Sequence, residues 1–146
     1  MYNNLVRVNV RKYLFGGWSR FTIVQYNADG SQIREDYELK LNEKHRNMYF
    51  VYTRDLYERK MYYHGFVKDY ESGLKYERAK TLKLRSDEYY NEKAVKAFMW
   101  VLERANSLPE RVKIYHDGTC AKCGRQLLDE DPDGTGFCYT CRSKMR

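Results

Sequence analysis

The 146-residue sequence contains two prolines, three histidines and no cysteine before position 120. Each scarcity excludes something. No apolar run approaches the roughly 20 residues that span a bilayer, so no membrane partner is expected. The first residues, MYNNLVRVNVRKYLFGG, hold neither a sustained apolar core nor a small-residue cleavage site, which predicts a cytoplasmic protein. Gly-x-Ser-x-Gly, a phosphate-cradling glycine loop and His-Glu-x-x-His are all missing, and the histidines, His45, His64 and His116, lie far apart in sequence. His64 sits inside YYHGFV, where it reads as a sheet residue rather than a general base. These absences predict that the chain is not an enzyme.

What is abundant is aromatic and charged. Aromatic residues make up 16% of the chain, 15 of them tyrosines, a content that disordered sequences of low mean hydropathy do not carry. The formal net charge is +7, and it divides unevenly. Residues 1–115 hold 22 Lys and Arg against 15 Asp and Glu, whereas residues 116–146 hold five of each. The excess belongs to the first part and favours nucleic acid or an acidic protein surface as partner.

WSRFTIVQY (18–26) is rich in β-branched and aromatic residues, and Asn27-Ala28-Asp29-Gly30 after it has turn chemistry. Tyr37, Leu39 and Leu41 alternate with Glu38 and Lys40, the period of a strand with one wet face. MYFVYTR (48–54) and KMYYHGFV (60–67) read as a second antiparallel pair, and KYERAKTLKLR (75–85) as a fifth strand. The period then changes: Val95, Phe98, Met99 and Leu102 form a helical apolar stripe, with Ser86 or Asn91 as candidate cap and Asn106-Ser107-Leu108-Pro109 as its stop. Arg111–Tyr115 leads on as a short strand or extended connector. The predicted class is α+β: an antiparallel sheet of about five strands with one packed helix over residues 1–115, then a small zinc-ribbon or zinc-knuckle module over 116–146.

The module is predicted from its cysteines. Cys120-x2-Cys123 and Cys138-x2-Cys141, separated by 14 residues, form two CxxC knuckles, each able to offer two thiolates to one ion. A structural Zn2+ takes four such ligands in a tetrahedron. A redox pair of thioredoxin type needs a βαβ context that is missing, and disulfides need an oxidising compartment. His116, four residues before Cys120, is the alternative fourth ligand. The apolar content of the module is essentially Leu127, Leu128, Phe137 and Met145, too little for a core of its own, so metal binding must supply the folding energy. Asp129, Asp131 and Asp133 resemble half of a calcium loop, but Thr140 stands where the bidentate glutamate belongs, which leaves an acidic, solvated loop.

His116-x-Gly118-x-Cys120-x-x-Cys123-Gly124-Arg125-x-Leu127, behind a strand-rich region and a helix around Ala97-Phe98-Met99-Trp100, resembles an uncharacterised family of small phage and prophage proteins whose chains close on that signature. The resemblance implies a phage-encoded accessory protein of the host cytoplasm, with no reaction attached. The family commonly ends in Gly-x-Gly-Pro-x-Cys with one cysteine. Gly134-Thr135-Gly136-Phe137-Cys138 departs from that and Cys141 is added, which favours Cys141 over His116 as a ligand.

Two binding functions compete. In the first, sheet tyrosines stack the bases of single-stranded nucleic acid or RNA while cations neutralise phosphate, with Tyr49, Tyr52, Tyr62 and Tyr63 and with Arg54, Arg59, Lys60 and Lys80 as candidates. In the second, the same residues anchor a host protein, for instance a defence nuclease that the chain inhibits or redirects.

Overall fold

The computed structural model describes residues 4–54, 59–70, 73–79, 90–127, 131 and 133–144. The sheet starts at β1 (Trp18–Tyr26), where Ser19, Phe21 and Ile23 are buried in alternation with half-exposed Trp18, Arg20 and Thr22. The predicted turn at Asn27–Gly30 returns the chain into β2 (Gln32–Leu41), which pairs antiparallel with β1, Phe21 opposite Tyr37. Then come β3 (Met48–Arg54), β4 (Met61–Tyr70) and β5 (Gly73–Arg78), a continuous meander. The fifth strand is shorter than the expected 75–85, and residues 80–85 fall outside the described ones.

Among the described residues six strands stand where about five were expected, in the order β5-β4-β3-β2-β1-β6. The sixth is β6 (Val112–His116), the segment read as a strand or connector. It adds to the free edge of β1, with Phe21 opposite His116 and Ile23 opposite Ile114. Leu5 bridges to Tyr115 on the outer side of β6, so the N-terminal segment covers part of that edge.

The expected helix is α2 (Glu92–Glu103), capped by the Asn91 side chain on Ala94 N–H at 2.9 Å. Its stripe of Val95, Phe98 and Leu102 is buried on one sheet face. Phe98 stacks on Tyr37 at 5.4 Å and on Phe21 at 6.1 Å, and the Tyr37 hydroxyl donates to Ala94 O at 2.8 Å. Fully burying a side chain of this size stabilises by about 1.5–3 kcal/mol, so the triplet fixes which sheet face the helix covers. Two short helices were not expected: α1 (Val10–Leu14) packs Tyr13 and Leu14 into the same core, and α3 (Tyr139–Lys144) follows the second cysteine knuckle.

One apolar cluster runs from Phe98, Tyr37 and Phe21 through Tyr13 to Ala121, Leu127, Phe137 and the buried cysteines, across the position 115/116. No helix among the described residues is long and apolar enough to cross a membrane.

Candidate metal centre and open sheet face

The first knuckle is a miniature hairpin. Thr119 bridges to Gln126, Cys120 N–H donates to Arg125 O at 2.8 Å, and Gly124 N–H closes the turn on Cys120 O at 3.0 Å. Cys138 immediately precedes α3, and Cys141 lies one turn later, so both sulfurs point to the same side. The knuckles are held together by Ala121 N–H donating to Gly136 O at 3.0 Å.

The four sulfurs lie within 4.8 Å of one another, and Cys123 Sγ and Cys138 Sγ are 3.7 Å apart. All four cysteines are free. A tetrahedron with metal–sulfur bonds of about 2.3 Å has edges of about 3.8 Å, so the spacing fits one shared ion and is far too long for a disulfide. The donor set therefore fits a metal ion. Cys120, Cys138 and Cys141 are buried and Cys123 is exposed.

Protonation shows why such a cluster wants a cation. Burial raises the Cys120 thiol, but backbone N–H groups of Cys123, Cys138 and Lys122 outweigh it and bring it down to about 7. Burial pushes Cys141 up to about 12, and neighbouring cysteine sulfurs add to the rise. Cys123 is raised too, first by burial. One thiolate is tolerated, and further ones beside it need a cation to neutralise them.

His116 is turned away from the sulfurs. Its Nδ1 accepts Gly118 N–H at 2.9 Å, and its Nε2 faces Asp131 Oδ2 at 3.9 Å. Asp131 also corrects the reading of a solvated acidic loop. Its side chain is only 5% exposed and accepts Thr135 N–H at 2.9 Å, the Thr135 hydroxyl at 2.5 Å and Gly136 N–H at 2.7 Å. It is the internal brace of the turn before Cys138, which the exposed-loop argument missed because local sequence does not show which carboxylate turns inward. Asp133 is exposed, and Asp129 lies outside the described residues.

The sheet has a second face that no helix among the described residues covers, and its cross-strand register sets out two rows. Trp18 lies opposite Lys40, Lys40 opposite Phe50, Phe50 opposite Phe66, and Phe66 opposite Glu77. Beside it run Arg20, Glu38, Tyr52 and Tyr63. Trp18, Phe50, Tyr52, Tyr63 and Phe66 are all half-exposed. Tyr63 meets Phe50 edge-on and Tyr52 tilted, each at 5.7 Å. Cations sit over these rings: Arg20 at 4.5 Å and Lys40 at 5.3 Å from Trp18, and Lys68 at 5.8 Å from Phe66. Lys68 and Lys75 also flank Tyr70, at 5.9 and 5.8 Å.

This register divides the candidates named from sequence. Tyr52 and Tyr63 belong to the open face. Tyr49 pairs with Leu41 and Val67 on the helix side, meets Phe15 edge-on at 4.9 Å and donates its hydroxyl to Phe15 O at 3.2 Å. Tyr62 pairs with buried Thr53 and so belongs to the helix side as well. Arg54 is on the open face but is bound to Asp36 at 2.9 Å and to Arg59 O at 2.9 Å, which makes it a brace of the β3–β4 connection. Arg59 and Lys60 are exposed beside it, and Lys80 lies outside the described residues. Trp18, Lys40, Phe50, Phe66 and Lys68 were not named from sequence, although the alternation in β1 and β3 already placed Trp18 and Phe50 on the face opposite Phe21 and Val51.

His64 is a buried residue of β4, as its place in YYHGFV suggested. Its Nδ1 donates to Tyr62 O at 2.9 Å, which leaves Nε2 to accept Asn91 N–H at 2.9 Å and the Thr53 hydroxyl at 3.1 Å. Its ring stacks on Tyr90 at 5.1 Å.

No protein-family model, no curated protein and no solved structure matches the chain.

Proposed function

We propose that the protein acts by binding, and that single-stranded nucleic acid, DNA or RNA, lies on the open sheet face while a structural zinc in the four-cysteine site holds the C-terminal module. The observation that carries this reading is the paired rows of half-exposed rings, Trp18, Phe50 and Phe66 beside Tyr52 and Tyr63, with Lys40 and Lys68 interleaved. Every base offers a π-face, so such a row accepts successive unstacked bases without sequence preference, and the lysines answer the phosphates. A duplex hides its base faces and gains only the charge term. Two acids of this face have local partners, Glu38 accepting Trp18 Nε1–H at 3.0 Å and Asp36 held by Arg54 and the Thr22 hydroxyl, while Glu77 ends the first row beside Phe66. The likeness of the cysteine segment to small phage proteins supports reading the chain as a phage-encoded accessory protein of the host cytoplasm.

The test is anisotropy of labelled oligo-uridine, oligo-thymidine and a duplex over a range of salt. Single strands are expected to bind more tightly than the duplex, with log affinity falling by about 0.7 per neutralised phosphate for each unit of log salt. Tyr52→Ala and Phe66→Ala are each expected to cost about 1–3 kcal/mol. Absence of single-strand binding at low salt would overturn the reading, and a defined host protein bound through the same rings would give the face to the protein-interaction alternative.

A further inference from the structure

A concave site of about 610 Å³ lies at the end of the sheet, lined by α1, the β2–β3 turn and the first cysteine knuckle. Its cations are Arg11, Lys12, Arg46 and Lys122, with Asp69 as the carboxylate among its lining residues and Phe15 and Tyr49 as aromatic floor. Arg11 is paired with Asp69 at 3.5 Å and lies over the Phe15 ring at 5.2 Å. Among the described residues, no carboxylate lies within ion-pair distance of Lys12, Arg46 or Lys122, so with Asp69 paired to Arg11 the lining carries an excess of three positive charges. Three like charges around one concavity repel one another, and an anion seated between them relieves that repulsion.

Three chain segments join this hollow to the open face, and a fourth, the first cysteine knuckle, touches both. Phe15 is in the floor and Trp18 is on the face, with half-exposed Gly16 and Gly17 between them. Tyr49 lines the hollow while Phe50 faces the open side, and Asp69 lines it while Lys68 faces the open side. Lys122 stands two residues before Gly124, which packs against Trp18. The edge to be crossed is therefore one residue wide on two strands, and glycine on the third.

We infer that the hollow bounded by Lys12, Arg46 and Lys122 binds a phosphate of a nucleotide, so that a strand stacked on Trp18 passes over the Gly16–Gly17 edge and seats a backbone phosphate there. The inference rests on the reading of the open face given above for the continuous strand. The phosphate chemistry itself is common to an internal diester and to a free nucleotide.

The experiment compares the full zinc-loaded chain with the surface variant Arg46→Glu/Lys122→Glu, after circular dichroism shows the same fold. With an oligo-uridine of about twelve nucleotides, the variant is expected to bind about tenfold more weakly and to lose about one to two units of salt slope, while Tyr52→Ala lowers affinity with its slope retained. Wild-type affinity and slope in the charge variant would overturn the inference and leave the open-face reading standing. A second arm titrates adenosine monophosphate and inorganic phosphate into the labelled protein and follows the Asn47 and Lys122 amide resonances. Saturable shifts without oligonucleotide binding would sink the open-face reading and keep the hollow as a free-nucleotide site. No shift and no charge dependence would remove the hollow as a phosphate site of either kind.

Discussion

Gly124 lies against the face of Trp18: a methyl group built on its α-carbon would stand 3.0 Å from the indole Cζ3. The first cysteine knuckle and the end of the aromatic row are thus in direct contact, and Trp18 N–H adds a bond to Ala121 O at 2.6 Å. Metal in the knuckle should therefore be visible from the indole. In a Trp100→Phe background, which leaves Trp18 as the one tryptophan, chelation is expected to shift the emission to longer wavelength as the ring loses its cover. Asp133→Asn should leave it unchanged. Unaltered emission after proven metal loss would mean that the knuckle keeps its shape without the ion.

Metal content follows from the four sulfurs. One zinc per chain is expected by elemental analysis, lost in Cys120→Ser, Cys138→Ser and Cys141→Ser. Binding must expel protons, because Cys123 and Cys141 are held above the ordinary thiol range in the metal-free cluster, Cys141 at about 12. Calorimetry near neutral pH in two buffers of different ionisation enthalpy should register the release of more than one proton per zinc. Since protons and metal compete for the same sulfurs, affinity should fall as pH falls. A pH-independent affinity would be incompatible with thiolate ligation.

The second knuckle packs against α1 through Gly136. Its φ is 78°, and a Cβ there would lie 2.1 Å from Tyr13 Cδ1, inside the fully buried ring. Gly136→Ala should destabilise by roughly 1–3 kcal/mol, combining overpacking with left-handed backbone strain. Tyr13→Leu in the same chain should make the two costs less than additive, because the smaller side chain opens the space. Additive losses in denaturant titrations would show that the contact is not what excludes a side chain at 136.

Much of the sheet was readable because alternation is a local property. Tyr37 and Leu39 announce β2, and the Val95–Phe98–Leu102 stripe announces α2 without reference to anything distant. Less readable was which parity of each strand meets the helix, since that depends on register. In β4 the parity itself changes: the ladder shifts between Val51 and Tyr52, so that Gly65 faces Val51 while Tyr63 faces Tyr52, and His64 is the extra residue. Tyr63 and Phe66 therefore share the open face although they are three apart, which period-two reasoning forbids. The short helix Val10–Leu14 spans too few residues to show a period, and the partner of β6 is more than 80 positions away in sequence. The cysteine spacing was fully legible, because two CxxC pairs prescribe their own geometry. Asp131 was not, since its partners are set by the fold of the turn.

The bulged His64 makes stability depend on pH at the junction of sheet and helix. Burial lowers its pKa, the Tyr62 carbonyl opposes that shift, and Arg78 adds to the lowering. In the unfolded chain the ring titrates near 6.5. Above that value both states are neutral and the ring contributes no pH dependence. As pH falls through about 6.5 the unfolded state takes up the proton first, so stability declines until the folded ring is protonated as well. A proton on Nε2 would also face the Asn91 N–H it now accepts, and would detach the residue that caps α2. His116 shifts in the same direction, chiefly by burial, so a single acid titration would mix the two. The comparison with His64→Gln separates them. The variant is expected to be less stable than the native chain at about pH 7.5, and the gap between them to narrow at about pH 5.5, because only the native chain loses the His64 contribution. A gap that stays constant between those two conditions would mean that the folded protein carries His64 at its ordinary pKa, and that the hydrogen bonds from Thr53 and Asn91 do not hold the ring neutral.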